Sequence, residues 1–224
     1  MHVCTNCGFK YEGKYCPECG VRKNNGRIYF HDQLHDIMYY LFSLDSPLPA
    51  TFKGLLTNPG RVGREYIGGK RKKYYPPIKY FILCSAIYFL LVKITGIDPF
   101  EESTTETIRH YGNYFVFLLV PILALFSKIF FFKQHNNYSE YIAYSFLLVA
   151  QYLLVTLLYI PLYSFFNIIL ANTFFLIYLI WGVFSFHGGN PWLKLLLSLL
   201  TVIASEALFI ILVSNIANLF LKSH

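Results

Sequence analysis

Five long runs of apolar residues fill the later part of this chain, after a polar first third. A helix needs about 20 apolar residues to cross the hydrocarbon of a bilayer. The pattern predicts an all-α integral membrane bundle of about five spans, at residues 78–97, 114–132, 141–163, 168–186 and 192–220. Only a few residues separate the third and fourth runs, so four or six spans are the alternatives.

Composition supports a membrane class. The chain is 55% hydrophobic and 14% charged, whereas soluble domains carry about 25% charged residues. Residues 1–79 contain 13 basic and 6 acidic residues, which gives the whole net charge of +7, and residues 80–224 contain 6 of each. Because the positive charge stops where the apolar runs begin, it indicates membrane topology, and no nucleic-acid partner is expected.

Basic residues recur on alternate sides of these spans. The segment Lys70–Lys79 is basic, the connection at 98–109 is acidic, and Lys128, Lys133 and Lys194 mark the second and fourth connections. Since basic loops stay in the cytoplasm, we expect a cytoplasmic N-terminus and, after five spans, a C-terminus outside. No signal-peptide pattern precedes the polar third, so we expect that third to stay cytoplasmic.

Four cysteines near the start form two Cys-x2-Cys pairs, eight residues apart. Thiolates at this spacing form closed tetrahedral sites, and the reducing cytoplasm disfavours structural disulfides. A segment this short has no hydrophobic core of its own, so a metal must supply its folding energy. We predict a zinc ribbon at residues 1–24, with structural zinc on Cys4, Cys7, Cys16 and Cys19. Iron on the same sulfurs and a redox dithiol pair are the alternatives.

Residues 25–75 are predicted to form amphipathic and basic helices beside the membrane. The first has apolar positions at helical spacing within Phe30–Phe42. His31 and His35 lie one turn apart at the edge of that apolar stripe, which makes them weak candidates for a second metal or acid/base site. Histidines that only pack this helix are the simpler interpretation. The bundle itself occupies residues 76–224.

A second short helix and a basic segment precede the first span. Asn58 before a proline is a typical helix start, and Gly68 is the predicted end. Polybasic segments attract anionic headgroups with about 1 kcal/mol per residue. The candidates for a lipid or phosphate site are Lys70, Arg71, Lys72, Lys73 and Arg64. The alternative is that these residues only anchor the topology.

Few polar residues interrupt the apolar runs. Glu206 lies near the middle of the fifth run, and Gln151 lies within the third. Ionisable groups inside a span are costly and are functional candidates. The alternative is a protonated carboxyl that hydrogen-bonds a neighbouring helix, with Gln151 as a potential partner. Cys84, in the first run, is interpreted as a packing residue.

The cysteine pairs, the segment "FHDQLHD" and the segment "TFKGLLTNPGRVGREYIGGKRKKYYPPIKYF" together resemble an uncharacterised group of bacterial membrane proteins. That family shares a zinc ribbon, a PG…REY…GKR…Y…P signature and several spans, and it is known only as a domain of unknown function. The resemblance covers about residues 1–90, and beyond them only the hydropathy is similar. It implies a bacterial inner-membrane protein and supplies no activity.

Three functions remain as hypotheses. The first is an interaction or sensory protein that displays a cytoplasmic zinc ribbon to a protein partner. The second is a small-solute or ion permease that uses Glu206. The third is an enzyme that acts on lipid headgroups at His31, His35 and the basic segment. No nucleophile motif or phosphate loop is present, so catalysis is the weaker expectation.

Overall fold

The computed structural model of the protein describes residues 2–4, 8–14, 16–18, 47–97, 115–158, 160–161 and 171–222. The chain divides into two compact units, Met1–Ser43 and Leu44–His224. Several sequence-based predictions lie outside the described residues. They concern Cys7, Cys19, His31, His35, the amphipathic helix around Phe30–Phe42 and the acidic connection at 98–109.

The described part contains two short strands and seven α-helices. In chain order these are β1 (His2–Val3), β2 (Lys10–Tyr11), α1 (Pro47–Thr57), α2 (Pro59–Ile67), α3 (Pro77–Thr95), α4 (Leu119–Phe130), α5 (Tyr138–Thr156), α6 (Ala171–Phe186) and α7 (Pro191–Lys222). Short 3-10 turns at Arg71–Lys73 and Val116–Leu118 precede α3 and α4.

The N-terminal unit contains an antiparallel hairpin in which His2 pairs with Tyr11. The Gly8 amide donates to the Cys4 carbonyl oxygen at 2.9 Å. Gly8 has φ 75°, a left-handed conformation that glycine adopts without strain. Cys4, Tyr11 and Cys16 form a small buried cluster in this unit.

Helix α2 begins and ends where its sequence predicts. The Asn58 side chain accepts a hydrogen bond from the Arg61 amide at 3.0 Å, and Pro59 occupies the first turn. The helix ends at Gly68, and Gly69 follows with φ 99°. Both ends are therefore local features, confirmed by the cap geometry.

Helices α3 to α7 enclose one apolar core. Helix α5 packs against α3, α4 and α6, while α7 packs against α4 and α6. A capping box starts α5, because Glu140 Oε2 accepts from the Asn137 amide at 2.8 Å. Fully buried side chains of the core include Tyr88, Leu123, Leu148 and Leu179. Helix α5 is thus the central element for α3, α4 and α6.

Helix α7 buries several small polar residues and leaves many of its large apolar residues exposed. Ser198, Thr201 and Ser205 are buried, and each donates its hydroxyl to the backbone carbonyl four residues earlier. The exposed residues of the same helix include Leu196, Leu200, Ile203, Ile210 and Ile211. Small inward residues allow close helix approach in membrane proteins.

Among the described residues, two helical segments are long and apolar enough to cross a membrane, Arg71–Thr95 and Pro191–Ile216, with mean hydropathies of 1.8 and 2.5. The apolar stretches Val116–Phe130 and Leu176–Phe186 are shorter. Helix α5 is long enough, but its tyrosines, Glu140 and Gln151 make it less apolar. The helical fold is confirmed for the described residues, whereas the five-span count stays a prediction.

Candidate functional site

Glu65 is the centre of a hydrogen-bonded cluster just before α3. Its carboxylate accepts from Lys73 Nζ at 2.7 Å, from the Tyr74 hydroxyl at 2.7 Å and from Arg61 Nε at 3.1 Å. Lys70 Nζ lies 3.6 Å from the same carboxylate. We call these five residues the Glu65 cluster. The cluster ties the basic segment Lys70–Lys73 to the side of α2.

The hydrogen bonds within the cluster keep the carboxylate ionised. The bond from Lys73 is the largest cause that lowers the pKa of Glu65 well below its usual range, followed by the bonds from Tyr74 and Arg61. One carboxylate is shared by three cations, Lys70, Lys73 and Arg61. The surface around Glu65 therefore remains positive.

Arg64, one of the predicted lipid ligands, points elsewhere. Its Nη1 donates to the backbone carbonyls of Ser185 and Phe186, the latter at 2.9 Å. The Gly60 amide donates to Ser185 Oγ at 2.8 Å beside it. These contacts join α2 to the C-terminal end of α6, where a cation also interacts favourably with the helix dipole. We call this contact, together with Gly63 and His187, the α2–α6 junction.

The remaining predicted lipid ligands are exposed. Lys70 and Lys73 reach Glu65, but their side chains keep 64% and 47% of their surface accessible. Arg71 and Lys72 are exposed, and neither forms an ion pair with any described residue. The five candidates therefore fall into three groups. Arg64 packs one helix on another, Lys70 and Lys73 are paired with Glu65, and Arg71 and Lys72 are exposed to solvent.

A groove between α1 and α2 is lined by Lys53, a cation that the sequence analysis did not predict as a site residue. It has a volume of about 230 Å³ and is lined by Lys53 of α1, Arg61 of α2, Lys73 of the basic segment and smaller neighbours such as Thr57. A lysine on a short helix gives no sequence signal of such a role. Lys53 reaches this place because α1 folds back against α2.

The predicted metal ligands are described in part. Cys4 and Cys16 come from different Cys-x2-Cys pairs, and both are buried in the same cluster of the N-terminal unit. Their predicted partners Cys7 and Cys19 lie outside the described residues. Within the described residues, no group of three or more potential metal ligands occurs.

The two polar candidates inside the apolar runs have different neighbours. Gln151 is fully buried, and its Oε1 accepts a short hydrogen bond from the Tyr80 hydroxyl. Glu206 lies near enough to Tyr152 to interact electrostatically, and its Oε1 has no hydrogen-bond donor among the described residues. Gln151 Nε2 likewise has no acceptor there. The hydrogen bond of Gln151 therefore joins α5 to α3.

His187 follows α6 and is buried at the junction. Its ring stacks on Phe131 with centroids 3.5 Å apart, and its Nδ1 lies 2.8 Å from the Val183 carbonyl oxygen. Burial is the main cause that lowers the pKa of His187 to about 4, and the nearby Lys194 and Arg64 act in the same direction. His187 is therefore neutral at physiological pH.

The family model described as "Protein of unknown function (DUF3667)" matches residues 45–89, which are 45 of the 224 residues. The matched segment contains α1, α2, the basic segment and the first part of α3. It therefore includes the Glu65 cluster and the groove, whereas the cysteine pairs lie outside it. No curated protein and no solved structure shows a significant match to the chain.

Proposed function

We propose that this is a multi-pass protein of the bacterial inner membrane, with a basic cytoplasmic face on anionic lipids and a zinc ribbon for a protein partner. Its role is interaction or scaffolding, and not catalysis. The observation that carries the proposal is that an outward-facing apolar helix, α3, begins directly after a fixed cluster of basic residues.

Exposure of the apolar helices supports membrane insertion. Only 22% of the most apolar stretch in Arg71–Thr95 is buried, and 33% of that in Pro191–Ile216. A core helix of a soluble protein would be mostly buried, and large apolar surfaces exposed to water are rare. Lipid contact accounts for this exposure, and five spans would place the shorter helices in the same bilayer.

Contacts between loops indicate that the basic residues gather at one end of the helical bundle. Gln134 Nε2 lies 3.3 Å from the Gly188 carbonyl oxygen, so the connections after α4 and α6 meet. Arg64 binds the end of α6 at the same place. Lys128 and Lys194 lie near these connections. By the positive-inside rule this end is cytoplasmic.

Zinc binding is part of the proposal. The buried positions of Cys4 and Cys16 and the tight turn at Gly8 are typical of a zinc-binding hairpin. Cys7 and Cys19 would complete four thiolates, which leave no open position for a catalytic water. Such a site stabilises a small unit, and that unit is then free to bind a partner.

Elemental analysis of the purified full-length protein tests the zinc site. We expect about one zinc per chain, which is lost in the double variant Cys4→Ser/Cys16→Ser and retained in the control Cys84→Ala. A disulfide between Cys4 and Cys7 in reducing cytoplasm would contradict the proposal, and so would protein that contains no metal.

Co-purification after crosslinking in native membranes tests the role. We expect a cytoplasmic protein that is captured by the wild type and by Cys84→Ala, and lost with Cys4→Ser/Cys16→Ser.

Reporter fusions at Ser103 and His224 test the five spans, and both should read as external. An internal reading at His224 would mean an even number of spans.

A permease is the second candidate, because Glu206 Oε1 is buried without a hydrogen-bond donor among the described residues. An uncompensated carboxyl inside a membrane protein is costly and is typical of ion or proton pathways. Flux into liposomes that is lost in Glu206→Gln, which cannot ionise, would favour this candidate. Unchanged behaviour of Glu206→Gln, with failed assembly of Glu206→Leu, would indicate a structural role.

A further inference from the structure

The groove between α1 and α2 combines cations from three separate segments of the chain. Lys53 comes from α1, Arg61 from the first turn of α2 and Lys73 from the 3-10 turn before α3. Thr57, Asn58 and Tyr74 add polar atoms to its wall, and none of the described residues that line it is acidic. The groove is thus a concave cationic surface and differs from the open basic segment beside it.

Charge remains in the groove after its ion pairs are counted. Arg61 directs Nε at one carboxylate oxygen of Glu65, and Lys73 directs its ammonium at the other. The Nη groups of Arg61 and the ammonium of Lys53 have no acidic partner among the described residues. The three groove cations and the Glu65 carboxylate sum to +2, and Lys70, which lies 3.6 Å from the same carboxylate, raises the local charge to +3.

Two of the three groove cations are held in place before any ligand arrives. Glu65 fixes Arg61 from one side and Lys73 from the other, and Tyr74 donates to the same carboxylate at 2.7 Å. Preorganised cations lose less conformational entropy when they bind an anion. Arg61 also offers paired Nη donors, which suit the oxygens of a phosphate group.

The size and the charge of the groove indicate which kind of ligand it can bind. Pockets for drug-sized molecules occupy about 300–1,000 Å³, so a groove of about 230 Å³ suits a small group. A terminal phosphate carries a charge of about −1.5 to −2 at pH 7, which the surplus positive charge of the groove can neutralise. A phosphodiester carries one charge and has a substituent on both sides.

We propose that the groove of Lys53, Arg61 and Lys73 binds a terminal phosphate group, carried by a lipid headgroup of the phosphatidic acid type or by a soluble phosphomonoester. This site rests on the proposed function, because the basic face must lie at the membrane surface for a headgroup to reach it. The lipid is the favoured source, since α3 begins four residues after Lys73.

Binding is measured with the full-length protein in phosphatidylcholine nanodiscs. One set contains phosphatidic acid, a second contains phosphatidylglycerol at equal charge, and a third has no anionic lipid and receives glycerol 3-phosphate. Lys53→Ala removes a groove cation, and Lys72→Ala is the matched control that removes an equal charge outside the groove. We expect Lys53→Ala to weaken binding of phosphatidic acid about tenfold and Lys53→Arg to restore it. Lys72→Ala should weaken binding of phosphatidic acid and of phosphatidylglycerol by the same factor, about fivefold or less.

Each result has a distinct meaning. Phosphatidic acid bound in a Lys53-dependent manner supports a lipid source, and equally tight, Lys53-dependent binding of glycerol 3-phosphate supports a soluble one. Phosphatidylglycerol bound as tightly as phosphatidic acid would overturn the choice of a terminal phosphate. If Lys53→Ala weakens binding of phosphatidic acid and of phosphatidylglycerol by the same factor, as Lys72→Ala should, the groove is overturned but the basic face of the proposed function stays intact. If neither anionic lipid binds, that face itself is refuted.

Discussion

The α2–α6 junction and the basic segment both place basic side chains beside helix α2, yet they differ in what surrounds the charge. At the junction, Arg64 meets backbone carbonyls of α6, and Gly60 and Gly63 pack against buried atoms. In the basic segment, Arg71 and Lys72 are exposed to solvent. Positive charge on one short stretch therefore has two environments, a helix-packing contact at Arg64 and open solvent at Arg71 and Lys72.

Substitution of Gly60 should have the largest effect, and it should disrupt the α2–α6 junction without changing the basic segment. A Cβ at this position would lie 2.0 Å from the Ser185 carbonyl oxygen, which is backbone and cannot move aside. We expect Gly60→Ala to lower the free energy of unfolding by about 3 kcal/mol or to prevent assembly. Gly188→Ala, where a Cβ meets nothing within 4 Å, is the control. Denaturation in detergent measures both, and equal stability of the two variants would contradict the packing.

His187 makes the junction sensitive to acid. The folded state holds the pKa of His187 at about 4 because the ring is buried, whereas the unfolded chain takes up a proton near pH 6.5. The stabilisation from the neutral ring is complete above pH 6.5 and decreases by about 3 kcal/mol as the pH falls towards 4. The free energy of unfolding of His187→Phe should depend less on pH across this window. Parallel pH profiles of variant and wild type would refute the assignment.

Substituting Arg64 and Arg71 in turn compares the two regions directly, because the two arginines carry equal charge and lie seven positions apart. Arg64→Ala removes hydrogen bonds to the end of α6 and should cost about 1–2 kcal/mol, since the guanidinium is partly exposed. Arg71→Ala should change stability by less than about 0.5 kcal/mol. Thermal unfolding of both variants in one detergent provides the measurement. A larger loss with Arg71→Ala would reverse the assignment of the two regions.

The smallest effect concerns how firmly the basic segment is held. Glu65→Gln keeps the side-chain size but removes the charge that Lys73 and Arg61 share. We expect trypsin to cleave the segment at Lys70–Lys73 about two- to fivefold faster, because local opening becomes easier. Helix α2 should remain intact, since its Asn58 cap is separate. An unchanged cleavage rate would show that Glu65 does not restrain the segment.

The sequence by itself determined the local features of this protein. Asn58 with Pro59 starts α2 and Gly68 ends it, because caps depend on residues within one helical turn. The apolar runs located the helices, since burial in lipid or core needs continuous apolar surface. The cysteine spacing predicts a metal site by the same local logic, and that prediction awaits elemental analysis.

The tertiary structure alone decided which polar groups meet. Arg64 binds carbonyls more than 120 positions away, Tyr80 reaches Gln151 across 71 positions, and Lys53 joins a groove only because α1 folds onto α2. Along the chain Arg64 and Arg71 are equivalent basic residues. What distinguishes them is the partner and the burial that packing provides, and these set the free energy of a charge far more than its residue type does.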